Sequence, residues 1–155
     1  MKIRLLIGIA LGLALATVAM AADPIIGLWK LNLAKSKFAS GQAPKEQTEI
    51  YREAGQGQIE LNYNSIPSSG ASTILKITLP AHGGLNSRSD NAKGYLEMET
   101  LITPGEWCMT RTQNGKQVAA LHKIVGKEGK TMRQTETGTD DHGKPYQNEL
   151  FYDRQ

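Results

Sequence analysis

Apolar and polar residues alternate with a period of two along most of the chain after residue 25. In the run 59–63, for example, three apolar residues alternate with Glu60 and Asn62. This period is typical of β-strands that bury one face and expose the other. About nine such runs are predicted, and they cover residues 26–33, 48–53, 59–63, 73–79, 95–103, 107–113, 117–125, 131–139 and 146–153.

Turn-forming residues separate the predicted strands. Asn114-Gly115 is typical of a two-residue hairpin loop, because a type I′ turn needs positive φ at both central positions. The longest irregular stretch is 80–94, and loops beyond about 12–15 residues are often functional or disordered. Regular spacing of short strands favours an up-and-down barrel or a sandwich. Because closure removes exposed edges, we predict an all-β fold with a single antiparallel up-and-down β-barrel of about 8–9 strands.

The first 21 residues have a different pattern. Lys2 and Arg4 precede an apolar run over residues 5–20, which ends in the small-x-small sequence Ala19-Met20-Ala21. This order is typical of a secretory signal peptide, and the run is shorter than the ~20 residues of a membrane-spanning helix. We therefore expect a signal peptide at 1–21, a periplasmic or secreted location, and one β-barrel domain at 22–155 without a membrane anchor after cleavage.

Cleavage also changes the charge of the chain. The full sequence of 155 residues carries a formal charge of +3, which falls to +1 when Lys2 and Arg4 are removed. No dense basic patch remains, so we expect no nucleic-acid partner. Cys108 is the single cysteine, so no disulfide forms within the chain. We expect it to be buried and inert, with a free surface thiol as the alternative. The sequence leaves the oligomeric state open.

Gly27-Leu28-Trp29 on the first predicted strand resembles the G-x-W motif of lipocalins and related calycin barrels. The resemblance implies that Trp29 plugs one end of the barrel, with a basic side chain from the last strand across its ring. Arg154 is the basic residue at the end of that strand. Gly27, Trp29 and Arg154 are therefore the predicted structural motif at the barrel end, where a cation over an indole contributes about 0.5–2 kcal/mol.

Longer segments resemble a family of small secreted bacterial proteins. Residues 27–38 read GLWKLNLAKSKF and are similar to the opening of that family, GTWKLN.AKSKF. Pro44-Lys45 continues this similarity, and residues 128–132, 137–140 with 143–145, and 152–155 are similar to the family's closing hairpin and its end. The family is lipocalin-like and mostly without an assigned function, so the resemblance implies the barrel fold and adds little about chemistry.

Polar residues on the later strands form the predicted ligand site. Arg111 shares a face with Trp107 and Met109, and His122 is expected to face inward with Val118, Ala120 and Ile124. If these faces turn inward, a polar patch lies in an apolar cup, as in small-molecule pockets. A register shift of one residue would instead turn each of these polar side chains toward solvent. The predicted ligand-binding residues are Arg111, His122, Gln134 and Glu136.

Other candidate residues are interpreted as surface. His82 and His142 lie in predicted turns, and the tight turn after Asp140 lacks the separated ligand pairs of zinc sites. We therefore predict no metal, and no cofactor, since no nucleotide-binding or catalytic motif is present. Glu97 and Glu99 are interpreted as the outward face of their strand, opposite Leu96, Met98, Thr100 and Ile102; a carboxylate pair for glycosidic chemistry is the alternative.

Three classes of function fit these observations. The favoured one is an exported lipocalin-like protein that binds a small, largely apolar molecule in the barrel. The second is a loop-mediated protein interaction or an inhibitor, with 80–94 as the contacting loop. The third is a small-molecule isomerase, lyase or hydrolase, which would need an acid–base pair such as His122 with Glu136 or Arg111. The sequence assigns no catalytic residue.

Overall fold

The computed structural model describes residues 22–39, 43–88, 94–140 and 142–155, so the predicted signal peptide lies outside the described residues. These ranges contain no helix, and hence none long and apolar enough to cross a membrane. Eleven strands are present: β1 (Gly27–Leu31), β2 (Glu46–Gly55), β3 (Gln58–Ile66), β4 (Thr73–Pro80), β5 (Gly84–Leu85), β6 (Ser87–Arg88), β7 (Tyr95–Thr103), β8 (Glu106–Gln113), β9 (Lys116–Val125), β10 (Thr131–Thr139) and β11 (Pro145–Arg154).

All of the strands belong to one antiparallel sheet that curls into a nearly closed barrel. The strand order is β5-β7-β8-β9-β10-β11-β1-β2-β3-β4-β6. The last long strand pairs with the first, so that Trp29 on β1 lies opposite Arg154 on β11. The predicted all-β class and antiparallel barrel are confirmed, whereas the predicted count of about 8–9 strands is wrong.

The two additional strands lie in the stretch 80–94, where the sequence pattern predicts only a loop. β5 pairs with β7 and β6 pairs with β4, so this segment bridges the two edges of the sheet. Gly83 permits the close approach of this segment to β7. Its φ is 88°, and a Cβ there would lie 2.9 Å from the backbone oxygen of Glu99. Strands of two residues carry no periodic signal, and this is why the pattern does not reveal them.

An apolar cluster fills the end of the barrel where β1 begins. Trp29 is fully buried, and its Nε1 donates a hydrogen bond to the backbone oxygen of Ile25 at 2.7 Å. The guanidinium carbon of Arg154 lies 4.3 Å from the centroid of the Trp29 ring. Arg154 also donates to backbone oxygens of Ile26 (2.6 Å) and Pro24. A Cβ at Gly27 would lie 2.3 Å from Nη1 of Arg154, so glycine leaves the space that the guanidinium occupies.

Strands β7 and β9 face opposite to the prediction. Cross-strand partners project to the same face of a sheet, and the pairs Glu97–Arg111 and Glu99–Met109 place both acids inside with the residues that face inward on β8. Glu97 is accordingly 2% exposed, whereas Leu96 is 59% exposed. The expectation that Glu97 and Glu99 form the outward face is therefore wrong.

The same rule corrects the orientation of His122. It pairs with Cys108, which alternates with the buried Trp107 and Met109 on β8 and so lies on the outer face. The inner face of β9 instead carries Ala119, Leu121 and Lys123.

Candidate ligand-binding cavity

A cavity of about 670 Å³ occupies the end of the barrel opposite the Trp29 cluster. Its wall is formed by side chains of β2–β4 and β6–β11, together with the loop residues 67–69. Part of the wall is apolar, namely Leu61, Leu75, Ile77, Leu121 and Leu150. The other part is polar and charged, namely Gln47, Glu49, Tyr63, Arg88, Arg111, Lys123, Gln134, Glu136 and Asn148.

Glu49 lies at the centre of a buried hydrogen-bond network. Its Oε2 accepts from the Tyr51 hydroxyl at 2.6 Å and from Nζ of Lys123 at 3.0 Å, and its Oε1 accepts from the Tyr152 hydroxyl at 3.2 Å. Burial, reinforced by the Glu49 carboxylate, raises the pKa of Tyr51 and of Tyr152 well above the usual range, so both phenols stay protonated donors. A charge pair buried in this way is tolerated because nearly every polar atom is paired.

The network extends from Glu49 toward the mouth of the cavity. Nε2 of Gln47 donates to the Tyr152 hydroxyl at 2.6 Å, and the Tyr63 hydroxyl donates to Oε1 of Gln47 at 3.1 Å. Burial raises the pKa of Tyr63 as well. A continuous chain of hydrogen bonds therefore links the cavity wall at Tyr63 to the ammonium group of Lys123.

A second charged cluster is centred on Glu97. Its Oε1 accepts from Nη1 of Arg88 and from Nε of Arg111, both at 2.5 Å. Both guanidinium groups lie near the Tyr95 ring, at 5.8 and 5.7 Å from its centroid. Arg111 lines the cavity, and only its Nε is engaged by Glu97. Its two terminal nitrogens donate no hydrogen bond to another described residue and are therefore available as donors.

Glu99 is held beside both clusters. Burial raises its pKa to about 7, although the positive charge of Lys123 acts in the opposite direction. Nδ2 of Asn86 donates to its Oε1 at 3.4 Å. Glu99 therefore changes its protonation state near neutral pH, whereas a carboxyl group in water is ionised there.

Gln134 and Glu136 form the polar part of the wall on β10. Gln134 is buried, and among the described residues its Oε1 has no hydrogen-bond partner. Glu136 accepts from the Tyr146 hydroxyl at 3.1 Å and from Nδ2 of Asn148 at 3.4 Å. Burial, with a contribution from Glu136, raises the pKa of Tyr146 to about 12. Gln134 is the member of this pair whose hydrogen-bonding capacity is incompletely used.

The structure brings together three of the four predicted site residues. Arg111, Gln134 and Glu136 line the cavity, whereas His122 lies outside it, with Nε2 3.0 Å from Oε1 of Glu106. Their role in binding stays a prediction. Gln47, Glu49, Tyr63 and Lys123 were not predicted. The signal for two of them was present, since Gln47 and Glu49 lie at alternate positions of β2 with the buried Tyr51 and so share one face.

Two other candidates remain outside the cavity. His142 lies in an exposed turn, where its backbone N–H and that of Lys144 donate to Oδ1 of Asp140. Cys108 is partly buried, and burial raises the pKa of its thiol above the usual value. Within the described ranges, no group of three or more His, Cys, Asp or Glu side chains is arranged to hold a metal ion.

Comparison with solved structures identifies the same kind of barrel elsewhere. The wild-type fluorescent protein UnaG is 16% identical, with a TM-score of 0.56 over 86% of this chain and 98% of that chain. A point mutant of UnaG is also 16% identical, with a TM-score of 0.57 over 86% of this chain and 97% of that chain. No protein-family model and no curated protein sequence matches. The barrel fold that the Gly27–Trp29 motif implies is confirmed, and membership of the bacterial family stays a prediction.

Proposed function

We propose that this protein binds a small molecule in the cavity of its barrel. The observation that carries the proposal is the cavity itself, about 670 Å³ in volume and partly walled by buried polar side chains. Its volume falls in the range of about 300–1,000 Å³ that is usual for ligand pockets. Buried polar groups are costly where a packed apolar core would serve, and such local conflicts concentrate at functional sites.

The ligand we propose has an apolar body and a polar group. The sequence predicts a largely apolar molecule, and the side chains of Leu61, Leu121 and Leu150 suit its body. The charged wall suits a polar group at one end. Because Arg111 lines the cavity and its terminal nitrogens donate to no other described residue, the polar group of the ligand is an acceptor such as a carboxylate or a sulfonate.

Two dyes of similar shape test this proposal. 8-Anilinonaphthalene-1-sulfonate carries an aromatic body and a sulfonate, and N-phenyl-1-naphthylamine lacks the sulfonate. We expect wild-type protein to bind one molecule of either dye, measured by fluorescence titration. Leu121→Trp places a larger side chain in the cavity and should weaken both affinities by at least about 10-fold.

The matched control places the same side chain on the other side of the wall. Leu96 is exposed on the outer face of β7, so Leu96→Trp should leave both affinities within about 2-fold of wild type. Equal effects of the two substitutions, or an unchanged affinity in Leu121→Trp, would show that the dyes bind elsewhere.

We also propose that the chain is exported and cleaved after Ala21. The order of Lys2 and Arg4, the apolar run and Ala19-Met20-Ala21 supports this proposal. Mass spectrometry of the protein isolated from its native source should give an N-terminus at Ala22. An intact chain that begins at residue 1 would contradict export by this route.

The other predicted functions have no comparable support. The proposed acid–base pair of His122 and Glu136 is not formed, because His122 lies outside the barrel and Glu136 lines the cavity. In the stretch 80–94, residues 84–88 pair with β4 and β7 and so contribute to barrel closure. Binding in the cavity is therefore the function that we propose.

A further inference from the structure

Four buried polar atoms have no hydrogen-bond partner among the described residues. They are Oδ1 of Asn86, Oε2 of Glu97, Nε1 of Trp107 and Oε1 of Gln134. Of these four residues, Gln134 is the one that lines the cavity. A buried acceptor without a donor is costly, and a molecule bound in the cavity can supply the donor that Gln134 lacks.

Gln134 lies at the floor of the cavity and is only 4% exposed. On β10, the next residue on the same face toward the closed end is Met132, which is fully buried in the apolar cluster. In the other direction the next such residue is Glu136, which also lines the cavity. Gln134 is therefore the deepest position of β10 on the cavity wall.

The neighbours of Gln134 on the adjacent strands do not supply the missing donor. Lys123 lies opposite Gln134 on β9, and its Nζ donates to Oε2 of Glu49 at 3.0 Å and to the Tyr51 hydroxyl. The partner on the other side is Leu150 on β11, whose side chain is apolar. The donor is therefore left to a molecule inside the cavity, either water or the ligand.

We infer that the ligand carries a hydrogen-bond donor, such as a hydroxyl group or an amide N–H, at the end that reaches Gln134. This inference rests on the proposed binding in the cavity.

The donor and the acceptor of the ligand lie at opposite ends. Arg111, which faces the acceptor, pairs with Ala119 on β9, whereas Gln134 pairs with Lys123. These two positions of β9 are four residues apart, or roughly 14 Å along the strand. Leu121 lies between them on the cavity wall. The ligand class is therefore an elongated molecule with an acceptor at one end, an apolar middle and a donor at the other end.

Two ten-carbon acids test the inference. Decanoic acid and 10-hydroxydecanoic acid share the carboxylate and the apolar chain, and only the second has a hydroxyl at the far end. Isothermal titration calorimetry gives the ratio of their dissociation constants in each protein. Wild type should bind the hydroxy acid at least as tightly as decanoic acid. In Gln134→Leu the hydroxyl is buried without its acceptor, so the ratio should shift toward decanoic acid by about 10-fold.

Three further variants control this measurement. Gln134→Met keeps the length of the glutamine side chain and should shift the ratio in the same direction as Gln134→Leu. Gln147→Leu, at an exposed position of β11, should keep the wild-type ratio. Arg111→Met should weaken both acids equally, because both carry the carboxylate.

Two results would overturn the inference. One is a ratio that is the same in wild type and in both Gln134 variants, which would assign the Gln134 acceptor to water. The other is a wild-type protein that does not bind the hydroxy acid or clearly prefers decanoic acid. Failure of the proposed function has a different signature, since dye affinities would then be unchanged in Leu121→Trp.

Discussion

The two ends of the barrel are built on opposite principles. At one end Trp29, Trp107 and Met132 are buried in an apolar cluster, and the polar atoms of Trp29 and Arg154 are used on backbone carbonyls. At the other end the inward positions carry carboxylates, guanidinium groups and amides around open space. Apolar burial stabilises the first end, whereas the second retains charged groups whose desolvation is costly.

The difference shows how one small barrel separates stability from binding. The closed end anchors the first and last strands through Trp29 and Arg154, which lie opposite each other in register. The open end can then keep a cavity and incompletely used donors and acceptors without unfolding. Substitutions at the closed end should therefore change mainly the free energy of unfolding, and those at the open end should change mainly ligand affinity.

The largest expected effect is that of Trp29→Ala. Trp29 is fully buried and packs against Arg154, and removing a buried Trp usually costs about 3–5 kcal/mol of the free energy of unfolding. Urea unfolding measures this loss. Ile74→Ala on the surface of β4 should change it by less than about 0.5 kcal/mol. A loss below about 1 kcal/mol for Trp29→Ala would mean that the closed end does not hold the barrel together.

Glu99→Gln should remove a pH dependence of stability that originates in the middle of β7, inside the barrel. The folded pKa of Glu99 is about 7, above its usual value of 4.5, so between these values the folded state binds more protons than the unfolded state. Stability from this group is present at low pH and is lost as the pH rises through about 7. Wild type should therefore lose on the order of 3 kcal/mol relative to Glu99→Gln between about pH 5 and pH 8.

Urea unfolding of both proteins at the two pH values tests this prediction. Glu53→Gln, at an exposed position of β2, is the control and should follow wild type. If wild type and Glu99→Gln lose stability in parallel, then Glu99 is ionised in the folded protein throughout the range.

Arg111→Met should separate the two dyes. Arg111 supplies the donors proposed for the acceptor group of the ligand, so the sulfonate dye should lose about 10-fold in affinity, or about 1.4 kcal/mol. The neutral dye should change by less than about 2-fold, since Met keeps the apolar stem. Arg133→Met, on the outer surface, should change neither. Equal losses for both dyes would assign Arg111 a structural role at Glu97.

The smallest effect on stability, with the opposite sign, is expected for Gln134→Leu. Gln134 is buried and its Oε1 has no partner among the described residues. An apolar group of similar shape removes that penalty and should raise the free energy of unfolding by up to about 1 kcal/mol. Dye affinity should change in the same variant, because the wall changes. Gln147→Leu, at an exposed position of β11, should do neither, and a clearly destabilised Gln134→Leu would show that the amide is satisfied.

Most of the long strands could be predicted because they show a sustained period of two. The faces of β7 and β9 could not be predicted in this way, since β7 alternates acids with apolar residues and the pattern alone favours burial of Leu96 and Met98. The register of the hairpin formed by β7 and β8 gives the correct orientation of β7. Once Met109 faces inward, its partner Glu99 must do so as well.

The site was predicted only in part, because the sequence pattern orients some of its strands and not others. Arg111, Gln134 and Glu136 follow buried apolar residues on β8 and β10, and their orientation could be inferred from those neighbours. Lys123 lies on a strand where both faces carry apolar residues, so periodicity did not orient it. Its pairing with Glu49 joins residues 74 positions apart in the chain, and a contact of that kind depends on the closure of the barrel.

The most direct test of the account is a nuclear magnetic resonance titration of the ¹⁵N-labelled mature chain with the neutral dye. If the dye binds in the cavity, the largest shifts of backbone amide signals should occur at cavity residues such as Glu49, Leu121 and Gln134, with small shifts at Trp29 and Leu96. Largest shifts at the Trp29 end or on the outer face of β7, with the cavity residues unchanged, would contradict the assignment of binding to the open end of the barrel.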